Sequence, residues 1–396
     1  MYEGHSVGVV VPAYNEEGLV GSVIETMPSF VDRIYVIDDA STDGTWEEIQ
    51  EHAGRINDLE DETSDGAQEE RDEYIRERRE RTTERPVADG GDGEPTQRVV
   101  PVRHEHNRGA GAAVKTGYSL ALADEIDVTA VMDGDGQMDP DELDRIIDPI
   151  VSGEATYAKG NRLHSREDRR EMSNWRLFGN TLLTMLTRVA SGYWEVSDPQ
   201  NGYTAISNDG LQKVPFEKLY EEYGFLNHLL VALNIRGEPI ADVAHPAVYG
   251  DETSSIRYSR FVPGLSMLLA RSFLDRIVQS YLVRRFHPVV PCYTLGATVL
   301  LVGAGGGLYA AFASSVDAFM GGMVSFLVFA FGCMLLVLGC WFDVKENEGL
   351  VHRHGYSTLR ERREEQRRPG SVPSAIDFVH RDSTPGQIRP GSEDRS

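Results

Sequence analysis

Val128-Thr129-Ala130-Val131-Met132-Asp133-Gly134-Asp135-Gly136-Gln137 is the stretch that decides the fold. Residues 128–132 form an apolar run that predicts a buried strand. Two carboxylates and an amide oxygen follow, where the strand ends in a glycine-rich turn. Oxygen ligands at that spacing suit a hard divalent cation held by one or two carboxylates and a substrate's phosphates. Ligands of open α/β sheets also bind at the carboxyl ends of strands. A plain surface turn uses the same residue types, so the stretch alone leaves both readings open. An EF-hand does not fit, because Met138 stands where its loop needs glycine and Asp144 where it needs glutamate.

Outward from this turn, strand and helix patterns alternate. Val7-Gly8-Val9-Val10-Val11-Pro12 is a β-branched run ended by proline and predicts a buried strand. Asn15-Glu16-Glu17 opens a helix with Leu19, Val20, Val23, Ile24 and Met27 at its apolar positions. Arg33-Ile34-Tyr35-Val36-Ile37 predicts a second strand ending at Asp38-Asp39, then a turn at Ser41-Thr42-Asp43-Gly44 and a helix from Thr45. Arg98-Val99-Val100-Pro101-Val102 predicts a third strand. His106-Asn107-Arg108-Gly109-Ala110-Gly111 then leads into a helix running through Leu122. The alternation implies an α/β sheet with crossover connections. Residues 56–97 are rich in Glu, Asp and Arg and poor in large apolar side chains, so they read as an insertion outside the core. Within them, residues 69–84 have the alternating charges of a solvated helix.

The net charge is −24, from 63 acidic against 39 basic residues. That balance argues against a nucleic-acid binder, which needs a basic patch. Acid excess spread along the whole chain reads as a solubility adaptation to high salt, as in a haloarchaeal protein. Cys292, Cys333 and Cys340 lie in apolar segments, without metal-site spacing, and read as buried thiols. Residues 7–12 are too short and lack the basic lead of a signal peptide. His104, His106, His164 and His228 show no ligand spacing.

Residues 289–313 and 319–342 are apolar, carry no charged side chain and exceed the roughly 20 residues that cross a hydrocarbon core. Arg284, Arg285 and His287 precede the first, and Lys345, His352, Arg353 and His354 follow the second. The link Ser314-Ser315-Val316-Asp317-Ala318 has no basic residue, so both flanks are expected in the cytoplasm. Gly303, Gly305, Gly306, Gly307, Gly321 and Gly322 suit close helix approach, within a hairpin or in a homo-oligomer. In residues 261–286, Leu265, Leu268, Leu269, Phe273, Ile277, Tyr281 and Leu282 recur at helical spacing beside Arg271, Arg276, Arg284 and Arg285. That pattern fits a helix lying in the membrane interface. The expected organisation is a soluble α/β domain over 1–262, interface helices over 263–286, a transmembrane hairpin over 287–342 and a largely disordered cytoplasmic tail over 343–396.

Asn107-Arg108-Gly109-Ala110-Gly111-Ala112-Ala113-Val114-Lys115-Thr116 is neither a P-loop nor a dinucleotide fingerprint, since Val114 stands where each needs a small residue. It reads as a tight loop starting a helix, with Lys115 or Arg108 near a donor. Pro12-Ala13-Tyr14-Asn15-Glu16, Asp38-Asp39-Ala40-Ser41-Thr42-Asp43-Gly44-Thr45, this loop and Asp133-Gly134-Asp135-Gly136-Gln137, in that order, resemble family 2 glycosyltransferases. Within that family the chain looks like the dolichyl-phosphate mannose/glucose synthases, over residues 6–262 apart from the insertion. The resemblance implies a GT-A fold: a Rossmann-like mixed α/β sheet, followed by interface helices and two spans. It assigns Pro12, Tyr14, Glu16, Ile37 and Asp39 to the nucleotide, and Asp133 and Gly134 to the ribose and diphosphate. Asp135 and Gln137 would hold Mg²⁺ or Mn²⁺.

Lys159-Gly160-Asn161-Arg162 matches the family's Gly-Ser-Arg segment, which implies that Arg162 binds phosphate. Arg176 falls in the loop expected to meet the lipid phosphate. Asp198, in Asp198-Pro199-Gln200-Asn201-Gly202-Tyr203, is implied as base or orienting group. In Gly250-Asp251-Glu252-Thr253-Ser254-Ser255-Ile256, Ser255 replaces the family's lysine, and Arg257 stands nearby. The signature of processive synthases, QxxRW, is absent, which argues against polymer synthesis. The implied reaction is inverting transfer of one sugar from a UDP- or GDP-linked donor to polyprenyl (dolichyl) phosphate, for cell-surface or protein glycosylation. Rival readings are another membrane or glycan acceptor, or a catalytically silent membrane scaffold. Asp133, Asp135, Gln137 and Asp198 together argue against the scaffold. Two uncharged spans disfavour a transporter.

Overall fold

The computed structural model describes residues 1–63, 97–162, 174–222, 224–245, 258–312 and 316–355. The solvated helix expected over 69–84, His164, the Ser255 segment with Arg257, and most of the expected tail lie outside the described residues. The strands are β1 (Val7–Ala13), β2 (Arg33–Asp38), β3 (Val99–Arg103), β4 (Val128–Val131), β5 (Tyr157–Asn161), β6 (Thr204–Ser207), β7 (Ile240–Ala244) and β8 (Val351–His354). The helices are α1 (Val20–Glu25), α2 (Thr45–Thr63), α3 (Ala110–Ala123), α4 (Leu143–Val151), α5 (Asn174–Ser191), α6 (Asn208–Lys213), α7 (Phe225–Arg236), α8 (Tyr258–Arg276), α9 (Val289–Phe312) and α10 (Val316–Glu346).

The strands form one sheet in the order β3-β2-β1-β4-β6-β5-β7-β8. Strand β6 runs antiparallel to both β4 and β5, and every other pairing is parallel. This is the mixed α/β sheet of a GT-A-like fold. Its direction rule matters for function. The carboxyl ends of β1, β2, β4, β5 and β7 all open on one edge, and β6 begins at that edge. Register fixes this, since Thr204 at the start of β6 pairs with Val131 and with Lys159. Strands β1, β4 and β7 are buried throughout, as expected of continuous apolar runs covered on both faces.

Helix α3 lies close on β1 because Gly117 has no side chain. A Cβ there would stand 2.3 Å from Val10 Cγ1. Gly117→Ala is therefore expected to destabilise the domain by about 1–3 kcal/mol through overpacking. A thermal melt of the solubilised protein checks this, and an unchanged midpoint contradicts it.

Two segments differ from expectation. Helix α2 continues through Thr63, so the charged stretch that composition sets apart at residue 56 begins as helix. Asn57 explains why: its side-chain amide donates to the Val99 carbonyl, and its oxygen accepts from the Val99 amide, both at 2.9 Å. The residues expected to be tail after 343 also contribute structure. Helix α10 runs on to Glu346, and β8 pairs in parallel with β7 along the sheet edge. Val-His-Arg-His has no apolar run to announce a strand; backbone pairing to β7 makes it one.

Helices α9 and α10 are long and apolar enough to cross a membrane. Only 11 % of each apolar window is buried inside the protein, which argues against core helices. Gly303 and Gly332 let the backbones meet: a Cβ on either would come within 2.4 Å of Phe329 N or 2.5 Å of Leu300 N. Of the other glycines singled out by sequence, Gly306 faces Ser325, whereas Gly305 and Gly321 have nothing within 4 Å. Helix α8 serves two faces. Leu265 and Leu269 pack with Ala190 of α5. Met267 and Leu274 stay exposed, as do Leu282 and Phe286 beyond the helix end. Leu182, Met185 and Leu186 of α5 are exposed too. An amphipathic helix packed on the soluble domain and an apolar face turned outward are thus both present.

Candidate active site

The loops leaving β1 and β2 are laced together at the carboxyl edge. Asn15 adopts φ 57° and Ala40 φ 61°, left-handed conformations that a non-glycine residue keeps only when neighbours hold it. They are held here. Asn15 N donates to Ser41 Oγ at 2.9 Å, Thr42 N to Asn15 Oδ1 at 2.9 Å, and Glu16 N to Thr45 Oγ1 at 2.8 Å. Tyr14 is exposed beside this loop, while the Ile37 side chain is buried in the core.

Asp39 is buried and its carboxylate is fully engaged. It accepts from Gly109 N at 2.7 Å and Arg108 N at 3.0 Å, and pairs with His104 Nδ1 at 2.7 Å. His104 shows no ligand spacing along the chain; only the fold brings it to Asp39. The expectation for Lys115 changes. Its ammonium is tied to Glu221 at 2.9 Å and to the Leu219 carbonyl at 3.2 Å, which fastens α3 to that segment. Arg108 also reaches Glu221, at 3.2 Å. Lys115 points sideways because it lies inside the helix rather than in the loop before it.

Asp133 and Asp135 follow β4. Gly134 N donates to the Pro12 carbonyl at 3.1 Å, and a Cβ on Gly134 would press that oxygen at 3.2 Å. Gly136 takes φ 70°, and Asp135 Oδ1 accepts from Gln137 N at 3.0 Å, closing the turn. Desolvation above all, and then the neighbouring Asp135, push the Asp133 carboxyl up to about 7 against the opposing charge of Arg162. Two carboxylates forced together suit a hard cation, which relieves their repulsion. Among the described residues no group of three ligating side chains surrounds a metal position. The pair thus fits an ion completed by amide oxygen and substrate phosphates, not a closed protein cage.

Residues 198–203 meet these carboxylates because β6 is antiparallel. A Cβ on Gly202 would lie 2.8 Å from Asp133 Oδ2. Asp198, at φ 43°, accepts from Arg162 Nε at 2.9 Å and from Arg162 N at 3.3 Å. Burial works to raise the Asp198 carboxyl, but the Arg162 guanidinium holds it below the usual carboxylate range. Behind Asp198 lies an arrangement without a sequence signal. Lys159 Nζ donates to the Ser197 carbonyl at 2.5 Å, and Asp242 Oδ2 accepts from Ser197 N at 2.9 Å. Lys159 and Asp242 face each other across β5 and β7. Asn201 Nδ2 approaches His245 Nε2 at 2.7 Å. Asp242 lies in the middle of β7 and His245 just past its end, outside every motif the pattern revealed, so only register could find them. Arg176 lies in the first turn of α5 and its side chain is outside the described residues.

Three known proteins show what the chain is similar to. A UDP-N-acetylglucosamine–dolichyl-phosphate N-acetylglucosaminyltransferase of Methanococcus voltae is 29 % identical over 241 residues, 59 % of this chain and 84 % of that one. A dolichol-phosphate mannosyltransferase of Pyrococcus furiosus is 23 % identical over 257 residues, covering 62 % of this chain and 56 % of that one. The solved glucosyl-3-phosphoglycerate synthase of Mycobacterium tuberculosis aligns with a TM-score of 0.45 at 18 % identity, over 69 % of this chain and 80 % of that one. The model of glycosyl transferase family 2 matches residues 8–80 and 88–214, about half of the sequence, and the chain belongs to that family: it is a glycosyltransferase.

Proposed function

We propose that the chain transfers one sugar from a nucleotide-diphospho-sugar to a polyprenyl (dolichyl) phosphate, with inversion, at the cytoplasmic face of the cell membrane. The observation that carries this is the meeting of Asp133 with Gly202 and Arg162, donor side against acceptor side, in a protein with two membrane-length helices. The names of the two archaeal relatives, both dolichyl-phosphate enzymes, support the acceptor. Basic residues at both outer flanks of the hairpin favour a cytoplasmic site and C-terminus. Protein glycosylation is the destination this reading favours, and the net charge of −24 supports a high-salt cytoplasm.

Pro12, Tyr14, Glu16, Ile37, Asp133 and Gly134 are assigned to the donor, with Asp39 acting through the Arg108–Gly109 turn that it fastens. Asp135 and Gln137 would hold Mg²⁺ or Mn²⁺. When bound, the ion supplies neutralisation of the departing nucleoside diphosphate. Arg162 and Arg176 bring the acceptor phosphate to the sugar, since the guanidinium fork matches phosphate oxygens. A polyprenyl phosphate is already an anion. Asp198, held ionised by Arg162, therefore orients that arginine rather than abstracting a proton. Membranes containing the protein, given dolichyl phosphate and labelled UDP- or GDP-sugars with and without EDTA, test the reading. Loss of labelled lipid on chelation is expected; transfer only to a glycan acceptor contradicts it.

The same site predicts a pH dependence. The Asp133 carboxyl, raised to about 7, holds a proton below that pH and is ionised above it. A divalent ion beside it must displace that proton, so metal affinity should fall about tenfold between pH 8 and pH 6. Titration of the solubilised enzyme with Mn²⁺ checks this, and an affinity that is flat across the range contradicts it.

A further inference from the structure

We infer that Arg276 and Asp343 are a positioning pair through which the base of the membrane hairpin sets the Asp198 segment. The inference deepens the lipid-phosphate reading above and rests on it for its kinetic arm. Both side chains are fully buried. Arg276 Nη1 and Nη2 each donate to one Asp343 oxygen at 2.8 Å. Tyr281 Oη donates to Asp343 Oδ1 at 2.6 Å, and Asn347 Nδ2 adds a bond at 3.1 Å. Arg276 closes α8, ahead of the first span, and Asp343 lies just past the apolar stretch of the second. The pair thus joins the two cytoplasmic ends of the hairpin.

The remaining guanidinium donors go elsewhere. Nε donates to the Ala190 carbonyl at 2.9 Å and Nη2 to the Val189 carbonyl at 3.0 Å, both in the last turn of α5. A cation at that end also satisfies the helix dipole. Gly192 follows at φ 79°, and a Cβ on it would stand 2.7 Å from Arg276 Nη1. The chain then runs to Asp198 under further restraint. Arg353 of β8, beyond the second span, donates to the Glu195 carbonyl at 2.6 Å. Arg188 Nε donates to the Val196 carbonyl at 2.7 Å. Residues 189–198 are therefore gripped from before and after the hairpin. Asp198 keeps its left-handed backbone only while its surroundings over-determine it. Arg162 moves with Asp198, so a shift at the end of α5 is felt at the phosphate-binding guanidinium.

A buried ion pair is weak evidence for stability, because apolar residues of similar volume often replace it without loss. What it supplies here is one geometry. The test uses the full chain in lipid nanodiscs. Arg276→Met with Asp343→Leu removes both charges and leaves neither unpaired. Arg276→Lys keeps the charge and loses the fork. The double variant is expected to melt near the parent and to bind nucleoside diphosphate within about twofold. Its kcat/KM for polyprenyl phosphate should fall about tenfold or more, with the Lys variant between. Amide exchange in residues 192–198 should quicken about tenfold, while β1 is unchanged. A lower melting point with parental kcat/KM, or parental exchange in residues 192–198, overturns the inference. If the parent itself gives no lipid product, the lipid reading fails, and the exchange measurement still decides the pair's role.

Discussion

Asp135→Ala is expected to cut sugar transfer about a thousandfold while the chain still folds and inserts. The side chain is half-buried and its one described bond is the local contact from Gln137 N at 3.0 Å. Losing that bond costs about 1 kcal/mol. Activity is far more exposed to the change. A metal ion on a departing diphosphate contributes several kcal/mol to the transition state, and about 4 kcal/mol corresponds to three decades of rate. Removing Asp135 also removes the charge that helps raise Asp133, so the Asp133 carboxyl drops below about 7, while burial keeps it raised. The remaining single carboxylate is a weaker ligand set. Transfer from labelled nucleotide sugar in membranes, with insertion checked by carbonate extraction, measures both halves. Undiminished turnover in this variant rules out the metal role of Asp135.

Arg162→Ala should lower transfer about a hundredfold and raise the pH at which the Asp198 carboxyl takes up its proton. Two effects combine. The phosphate loses a charged fork, and a charge-assisted bond is worth about 1.5–3 kcal/mol. Asp198 loses the partner that outweighs its burial. The sign follows from that balance. With Arg162 present, Asp198 stays ionised below the usual carboxylate range, and the stability this gives is lost only as pH falls through that depressed value. Without Arg162, burial raises the carboxyl, so protonation sets in at higher pH. Arg162→Lys restores the charge but not the two-pronged contact to Asp198, at 2.9 Å from Nε and 3.4 Å from Nη2, and should recover only part of the rate. An NMR titration in which the Asp198 carboxyl takes up its proton at the same pH in both proteins would show that Asp198 does not depend on Arg162.

The two variants probe opposite sides of one site, and these sides were not equally legible. The side we assign to the donor was readable because each of its motifs sits at the end of an apolar strand: Asp39 after β2, and Asp133 and Asp135 after β4. The hidden commitments of those residues were not. Asp39 spends its oxygens on the Arg108–Gly109 turn and His104, and Lys115 spends its charge on Glu221. Partners separated by 65 to 106 positions leave no pattern along the chain. The acceptor side was named by family resemblance, without a derivation from spacing.

Sequence by itself determined the strand–helix alternation, the carboxylate turn after β4 and the two apolar spans, because each follows from hydrophobic periodicity within one short window. Tertiary structure alone decided that β6 runs antiparallel, bringing Gly202 against Asp133 and Asp198 onto Arg162. It alone made a strand of Val351–His354 and brought Arg276 to Asp343. The physical reason is one of range. Local burial patterns are written along the chain, whereas sheet register and buried ion pairs arise only when distant segments exclude water from each other.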